Sequence, residues 1–177
     1  MNPLPRSHFS LRIASLLLFA FWAITTCQIF ADDPRDAAVG QDMERLKKAL
    51  LAKDATTMVD LMYGPIVEMG GGRERVLAQA KQLTETATFT AFDIGKPPFT
   101  DLSGAENDYV IVPTHGAIAL QGHHFESTSF QLGIKPHKGD KWQYLDGTGL
   151  TSQTRPTLLP DLPKDAVLPE VKTKQID

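Results

Sequence analysis

The sequence of 177 residues has few of the features that cross-link a protein or anchor it in a membrane. It contains a single cysteine, Cys27, which lies near the N-terminus. Tryptophan and tyrosine are few as well, with two and three residues, whereas phenylalanine occurs nine times. The one long apolar run, residues 13–24, has about 12 residues, which is short for a helix that spans a bilayer. A chain that loses Cys27 cannot form disulfides, so its stability has to come from a packed core.

The N-terminal segment has the pattern of a secretory signal peptide. Arg6 and Arg12 precede the uncharged apolar run, and Ala31 offers a small residue immediately before Asp32 and Asp33. This order of positive, apolar and small residues predicts export and cleavage after Ala31. We therefore expect residues 1–31 to be a signal peptide and the working protein, periplasmic or secreted, to begin at Asp32.

Two alternatives change where the mature chain would be found. The apolar run could be kept as a signal anchor. In the second alternative, Cys27 would become the acylated N-terminus of a lipoprotein, although Thr26 stands where such cleavage sites usually have a smaller residue. Membrane attachment of the mature protein is expected only in these cases. In simple cleavage, Cys27 is lost with the signal.

Charge and length predict one acidic domain that does not bind nucleic acid. The predicted signal carries two of the 18 basic residues and none of the 21 acidic ones, which leaves 16 against 21 and a net charge of −5. Nucleic-acid binding would require a clustered basic patch. The only basic clusters are Lys47 with Lys48 and Arg73 with Arg75, and each lies beside acidic residues on a predicted helix. A chain of this length suits one domain with one core. We place the domain at residues 32–155 and a tail with four prolines at residues 156–177.

The first half of the mature chain predicts helices. Asp33 and Pro34 resemble an N-cap and a first turn, and a helix to about Lys53 would carry one apolar stripe. Asp54 is expected to cap a second helix that ends before Pro65. Residues 66–69 are expected to be extended and to lead into a turn at residues 70–72, after which a third helix spans residues 73–83.

The second half has the composition of β-strands. Residues 86–94, 109–120, 125–134 and 142–145 are rich in β-forming residues and are separated by turn residues. Four strands in a row predict an antiparallel meander, with a tight hairpin near Gly122. Three helices followed by such a sheet indicate an α+β domain with the helices on one sheet face.

A family resemblance rests on several segments of the mature chain. The helical half, the short segment with its glycine turn and the meander with its tryptophan strand resemble the nuclear-transport-factor-2-like superfamily, also described as polyketide-cyclase-like. Within it, the chain is similar to an uncharacterised group of exported bacterial proteins. The segments that carry this resemblance are residues 63–71, 112–114, 142–150 and 159–163, together with Gly139. The resemblance implies a cone-shaped fold in which three N-terminal helices pack on a curved antiparallel sheet.

The resemblance implies a conical pocket but no particular activity. Relatives use this pocket for isomerase, dehydratase and cyclase chemistry, or only for packing and partner binding, so the fold does not decide the function. Trp142, Tyr144 and Asp146 alternate along one strand and should share a face. With Tyr109, the two aromatic residues Trp142 and Tyr144 are the candidate pocket residues.

One functional hypothesis is a lyase or isomerase-type enzyme that resembles ketosteroid isomerase in its residue types. Asp60 or Asp146 would be the carboxylate base, and Tyr63 or His115 would donate a hydrogen bond to the developing oxyanion. Each residue also has a structural alternative. In the structural alternative, Asp60 faces solvent and the Tyr63 hydroxyl bonds to backbone. Asp146 bonds its own following turn, and His115 is a structural residue.

The other hypothesis is a non-enzymatic binding or dimerisation module. Its pocket would take a small apolar ligand, and an exposed sheet face would pair two subunits. We expect neither a cofactor nor a metal, because adjacent strand residues such as His123 and His124 point to opposite faces. The tail is expected to wrap the domain in extended form or to remain mobile. The residues expected on the dimer face are Thr88, Thr90, Phe92, Phe125, Ser127, Ser129 and Gln131.

Overall fold

The computed structural model describes residues 33–176, and the predicted signal segment lies outside them. Helices come first and strands follow, so the class is α+β, as predicted. Four helices precede the sheet, and a short fifth follows it. The helices are α1 (Pro34–Ala52), α2 (Ala55–Asp60), α3 (Gly64–Met69), α4 (Arg73–Thr86) and α5 (Arg155–Leu158).

The caps and the apolar stripe predicted for α1 and α2 are confirmed. The Asp33 carboxylate accepts a hydrogen bond from the backbone N–H of Arg35 at 2.9 Å, so it satisfies a donor that the first turn leaves free. Asp54 caps α2 in the same way, through the N–H groups of Thr56 and Thr57. The stripe of α1 is buried, with Val39 and Met43 fully so.

The prediction of an extended segment at residues 66–69 is wrong. These residues belong to α3, so four helices rather than three precede the sheet. Pro65 does not end α2, which already stops at Asp60. It lies in the first turn of α3, where its missing N–H costs nothing. The glycine turn that follows is present, and Gly71 and Gly72 have φ angles of 94° and 90°.

All strand pairs in the six-stranded sheet are antiparallel. Two strands of 14 residues each form its centre. Two shorter strands lie along one edge of this central pair and two along the other. The strands are β1 (Ala87–Ile94), β2 (Thr100–Ser103), β3 (Asn107–Leu120), β4 (His123–Pro136), β5 (Gln143–Asp146) and β6 (Lys172–Gln175).

The meander predicted from the sequence is the path β1-β3-β4-β5. The hairpin between β3 and β4 turns at Gln121 and Gly122, which both have positive φ angles, of 52° and 84°. The sequence patterns did not predict the other two strands, β2 and β6. The short β2 pairs with β3, and the fully exposed β6 pairs with β4.

The sheet is covered on both faces by different parts of the chain. On one face, α1 packs against side chains of β1, β3 and β5, including Phe92, Val112 and Tyr144. On the other face, Phe130, Leu132 and Ile134 of β4 pack against the C-terminal segment. The segment contributes Leu158, Leu159, Leu162 and Ala166 to this second core, all of them buried.

Asp161 fastens this C-terminal segment to the turn between β2 and β3. Its carboxylate accepts hydrogen bonds from the backbone N–H groups of Glu106 and Asn107, at 2.9 and 3.0 Å, and from the Tyr109 hydroxyl. Burial pushes the pKa of Asp161 up, but the hydrogen bonds from Tyr109, Glu106 and Asn107 outweigh it and hold that pKa below its ordinary value. Part of the proline-bearing tail is therefore a packed layer of the domain.

Candidate functional site

A cavity of about 320 Å³ lies between the helices and the α1-facing side of the sheet, near the end of β5. Its walls are almost entirely apolar, and its polar side chains come from the sheet and the turn that follows β5. The apolar walls come from Leu46, Leu50, Met58, Leu61, Met62, Ile66, Phe89, Phe92 and Leu145, and the remaining lining residues are Gln131, Tyr144, Asp146, Thr148 and Gly149.

Gln131 and Asp146 form the polar floor of this cavity. The two residues are directly opposite each other in the pairing of β4 with β5, so their side chains project from the same face. The Gln131 amide Nε2 donates to Asp146 Oδ2 at 2.5 Å. Asp146 Oδ1 accepts from the backbone N–H and the hydroxyl of Thr148, at 2.8 and 2.5 Å. The carboxylate is therefore held by three hydrogen bonds.

Tyr144 also lines the cavity, but its hydroxyl is committed elsewhere. It donates to the Asp42 carboxylate of α1 at 3.1 Å, and Arg45 pairs with the same carboxylate at 3.1 Å. Burial raises the pKa of Tyr144, and the nearby Asp42 charge raises it further, so the phenol stays protonated. Tyr144 thus presents mainly its ring to the cavity.

Ser129 of β4 is a buried polar residue near this floor, although it is not one of the residues that line the cavity. It lies two residues before Gln131 and so on the same face of the strand. The side chain is only 6% exposed, and its hydroxyl has no hydrogen-bond partner among residues 33–176. A buried hydroxyl without a partner costs free energy, so a water or a ligand group is expected to satisfy it.

Three of the four candidate catalytic residues do not line the cavity. Asp60 is exposed and pairs with Arg73 at 2.6 Å. The Tyr63 hydroxyl points to the backbone oxygen of Leu158 at 3.4 Å, in the second core. His115 is exposed on β3. Of the proposed bases and donors, only Asp146 reaches the cavity, and it bonds its following turn as the structural alternative predicted.

Of the pocket candidates, only Tyr144 lines this cavity. Tyr109 is on the opposite sheet face, where burial and the Asp161 carboxylate raise the pKa of its hydroxyl. Trp142 shares a face with Tyr144, as predicted, but packs in the core with Lys135 Nζ 5.2 Å from its ring centroid. Tyr109 and Trp142 line a separate polar groove, in which Arg35 already pairs with Asp101.

The predicted dimer face needs correction at three positions. Phe92, Ser129 and Gln131 are buried within the chain, at 6–7% exposure, because their side chains project toward the helices. Thr88 and Thr90 are exposed, and Phe125 and Ser127 are partly so. Only these four of the seven residues can contribute to a contact between subunits.

Gln131 is the site residue that sequence reasoning assigned to the wrong role. The sequence predicts a strand at residues 125–134, which contains Gln131. The sheet face that Gln131 occupies, however, depends on which face the helices cover. A signal existed in the sequence: Gln131 is a polar residue between Phe130 and Leu132, and such a residue in a buried strand has to find a partner. The pairing with Asp146 supplies that partner.

The described part of the chain contains neither a cluster of metal ligands nor a helix that could span a membrane. Residues 33–176 contain no group of three or more His, Cys, Asp and Glu side chains placed to hold a metal ion. None of the helices in this range is long and apolar enough to cross a membrane. The Nδ1 atom of His123 lies 3.2 Å from the Gln175 side-chain nitrogen, across the pair of β4 and β6.

Comparison with known proteins identifies no family for this chain. No protein-family model and no curated protein matches it. Among solved structures, it is similar to a conserved protein from Planctomyces limnophilus DSM 3776. The two chains are 14% identical with a TM-score of 0.42, and the match covers 62% of this chain and 90% of the other.

Proposed function

We propose that this protein binds a small, largely apolar molecule in the cavity above Gln131 and Asp146. The observation that carries the proposal is the cavity itself, with about 320 Å³ of space, apolar walls and a few convergent polar groups. Ligand sites in proteins have this composition, in which the walls supply affinity and the polar groups orient the ligand.

Catalysis has weaker support than binding. A general base needs a lone pair that is free to accept the substrate's proton, and the Asp146 carboxylate already accepts three hydrogen bonds from Gln131 and Thr148. The Tyr144 hydroxyl, which would be the donor, is bonded to Asp42. A lyase or isomerase-type reaction remains the alternative, because Asp146 and Tyr144 line one apolar cavity.

The binding proposal is tested by filling the cavity. Met58 lines it and is partly buried, so Met58→Trp should occupy space that a ligand needs. Met69→Trp is the matched control, because Met69 is 62% exposed. A bound apolar ligand raises the melting temperature by mass action. We expect octanol to stabilise the unmodified protein and the Met69→Trp variant, but to stabilise Met58→Trp much less. Equal stabilisation of all three proteins would exclude this cavity as the site.

The fold proposed for this site is the cone of the nuclear-transport-factor-2-like superfamily. The helical first half, the long antiparallel meander and a cavity between them support this assignment. So do the segments that carry the family resemblance, among them residues 142–150, which form β5 and the turn at the cavity floor.

We further propose that the protein is exported and forms a homodimer. Export is supported by the N-terminal pattern, and the mass of the mature N-terminus separates cleavage after Ala31 from acylation at Cys27. A dimer would use the partly exposed end of the sheet around Phe125, where β6 forms the edge. Light scattering that shows only a monomer at working concentration would rule it out.

A further inference from the structure

We infer that the cavity selects its ligand by charge, accepting an apolar molecule with a neutral or positively charged hydrogen-bond donor and rejecting a carboxylate. This inference rests on the proposed binding function and goes beyond it, because it names the chemistry of the ligand's polar end. It follows from the polar atoms of the floor and the charges around them.

The first argument concerns the orientation of the Gln131 amide. An ionised carboxylate can only accept hydrogen bonds, so the amide group that faces Asp146 has to be the Nε2 donor. The amide oxygen of Gln131 then faces another direction, and no side chain or backbone group among residues 33–176 donates a hydrogen bond to it. Together with the Asp146 oxygens, it makes the floor rich in acceptors that a ligand O–H or N–H group can meet.

The second argument concerns charge. The fourteen lining residues include one carboxylate, that of Asp146, and no basic side chain. Arg45 acts on the pKa of Tyr144, but it pairs with Asp42 and its side chain is 60% exposed. A ligand carboxylate in this cavity would lose its hydration and stand near the Asp146 charge without a cation to compensate it.

Ser129 is buried on the same face of β4, but it does not line the cavity and adds no group to the floor. The orientation of the Gln131 amide and the charge of Asp146 are therefore the two observations that carry the inference. They show that the floor suits a head group that donates and carries no negative charge.

The experiment compares three molecules with the same apolar chain: octanol, octylamine and octanoate. Binding to the purified protein is measured at pH 7 by calorimetry. We expect octanol and octylamine to bind at least about tenfold more tightly than octanoate, since a charge left unpaired on burial costs more than a factor of ten.

The variant Asp146→Asn removes the charge and keeps the size of the side chain. We expect it to narrow the preference for octylamine over octanoate by about tenfold. Asp165→Asn is the control, because Asp165 is exposed in the C-terminal segment and does not line the cavity. It removes the same net charge from the protein, so it should leave the ranking unchanged.

The outcomes separate this inference from the binding function. Octanoate that binds the unmodified protein as tightly as octanol would overturn the charge selection and leave the binding function in place. If the ratio of octylamine affinity to octanoate affinity is the same in Asp146→Asn as in the unmodified protein, Asp146 does not set the preference. Failure of all three molecules to bind would overturn both the proposed function and this inference.

Discussion

Gly147 is a residue at which the packing leaves no room for a side chain. A Cβ atom at this position would lie 2.5–2.9 Å from three carbons of the Phe130 ring, and Phe130 is 2% exposed in the second core. The turn can therefore approach the ring only because residue 147 has no side chain. Gly149, two residues later, has its nearest such neighbour, Leu145 Cδ1, at 3.8 Å.

We expect Gly147→Ala to lower the free energy of unfolding by about 1–3 kcal/mol, because a methyl group inserted into a packed core forces its neighbours to move. Gly149→Ala, in the same turn, should change it by less than about 0.5 kcal/mol. Urea denaturation of the two variants measures the difference. Equal losses would mean that the backbone of the turn, and not the contact with Phe130, requires glycine.

The hydroxyls of Tyr144 and Tyr63 provide a second comparison between single residues. Tyr144 donates to an ionised carboxylate at 3.1 Å, whereas Tyr63 lies 3.4 Å from a backbone oxygen, which is long for a hydroxyl donor. We expect Tyr144→Phe to cost about 1–2 kcal/mol of unfolding free energy and Tyr63→Phe less than about 0.5 kcal/mol. Thermal denaturation of both variants tests the order, and a larger loss for Tyr63→Phe would contradict it.

At the scale of elements, local signals in the sequence were sufficient where the structure depends on neighbouring residues. The caps of α1 and α2 and the turn of the β3–β4 hairpin each involve residues close together in the chain. The predictions from sequence were wrong for α3 and did not include β2 or β6. The two missed strands have no strong β-forming pattern of their own and are formed by pairing with the long strands β3 and β4.

Contacts between residues that are far apart in the chain could not be predicted, either for the C-terminal segment or for the candidate site. Nothing near Asp161 in the sequence shows that its partners are Asn107 and Tyr109, more than 50 residues away. In the same way, the pairing of β4 with β5 places Gln131 beside Asp146. The chemistry of each residue could be predicted from the sequence, but its partner depends on the register of the sheet.

The Asp161 contact makes the docking of the C-terminal segment dependent on pH. The folded-state pKa of Asp161 is lower than that of the unfolded chain. The folded protein therefore binds fewer protons, and this contribution to stability is complete above the unfolded-state pKa of about 4 and is lost as the pH falls through the folded-state value.

We expect Asp161→Asn to lower the free energy of unfolding by about 1.5–3 kcal/mol at pH 7, because hydrogen bonds to a charged group are lost. The difference from the unmodified protein should shrink as the pH falls below about 4, since protonation removes the same charge. Asp165→Asn, in the same segment but exposed, should show little change at either pH. A difference for Asp161→Asn that does not vary with pH would contradict this account of the contact.

At the scale of the whole molecule, the sheet separates two cores, and each is covered by a different end of the described chain. Because α1 covers one face and the segment after residue 150 covers the other, the domain cannot be complete at the end of β5. The cavity is adjacent to this division: Thr148 lines it and also lines a second cavity beside the C-terminal segment. We therefore expect loss of the C-terminal segment to destabilise the fold itself, ahead of any effect on ligand binding in the cavity.

Truncation tests this requirement directly. A chain that stops after Thr151 loses Leu158, Leu159 and Leu162, whose burial stabilises the fold by about 1.5–3 kcal/mol each, which together approaches the stability of a typical domain. It also uncovers Phe130, Leu132 and Ile134 on the sheet. We expect this chain to unfold or aggregate.

A chain that stops after Val171 is the control. It loses only β6 and the residues after it, and because every residue of β6 is exposed, this chain should keep a cooperative thermal transition. Circular dichroism and gel filtration compare the two chains. A folded, monodisperse protein after truncation at Thr151 would show that the helices and the sheet form the domain without the C-terminal layer.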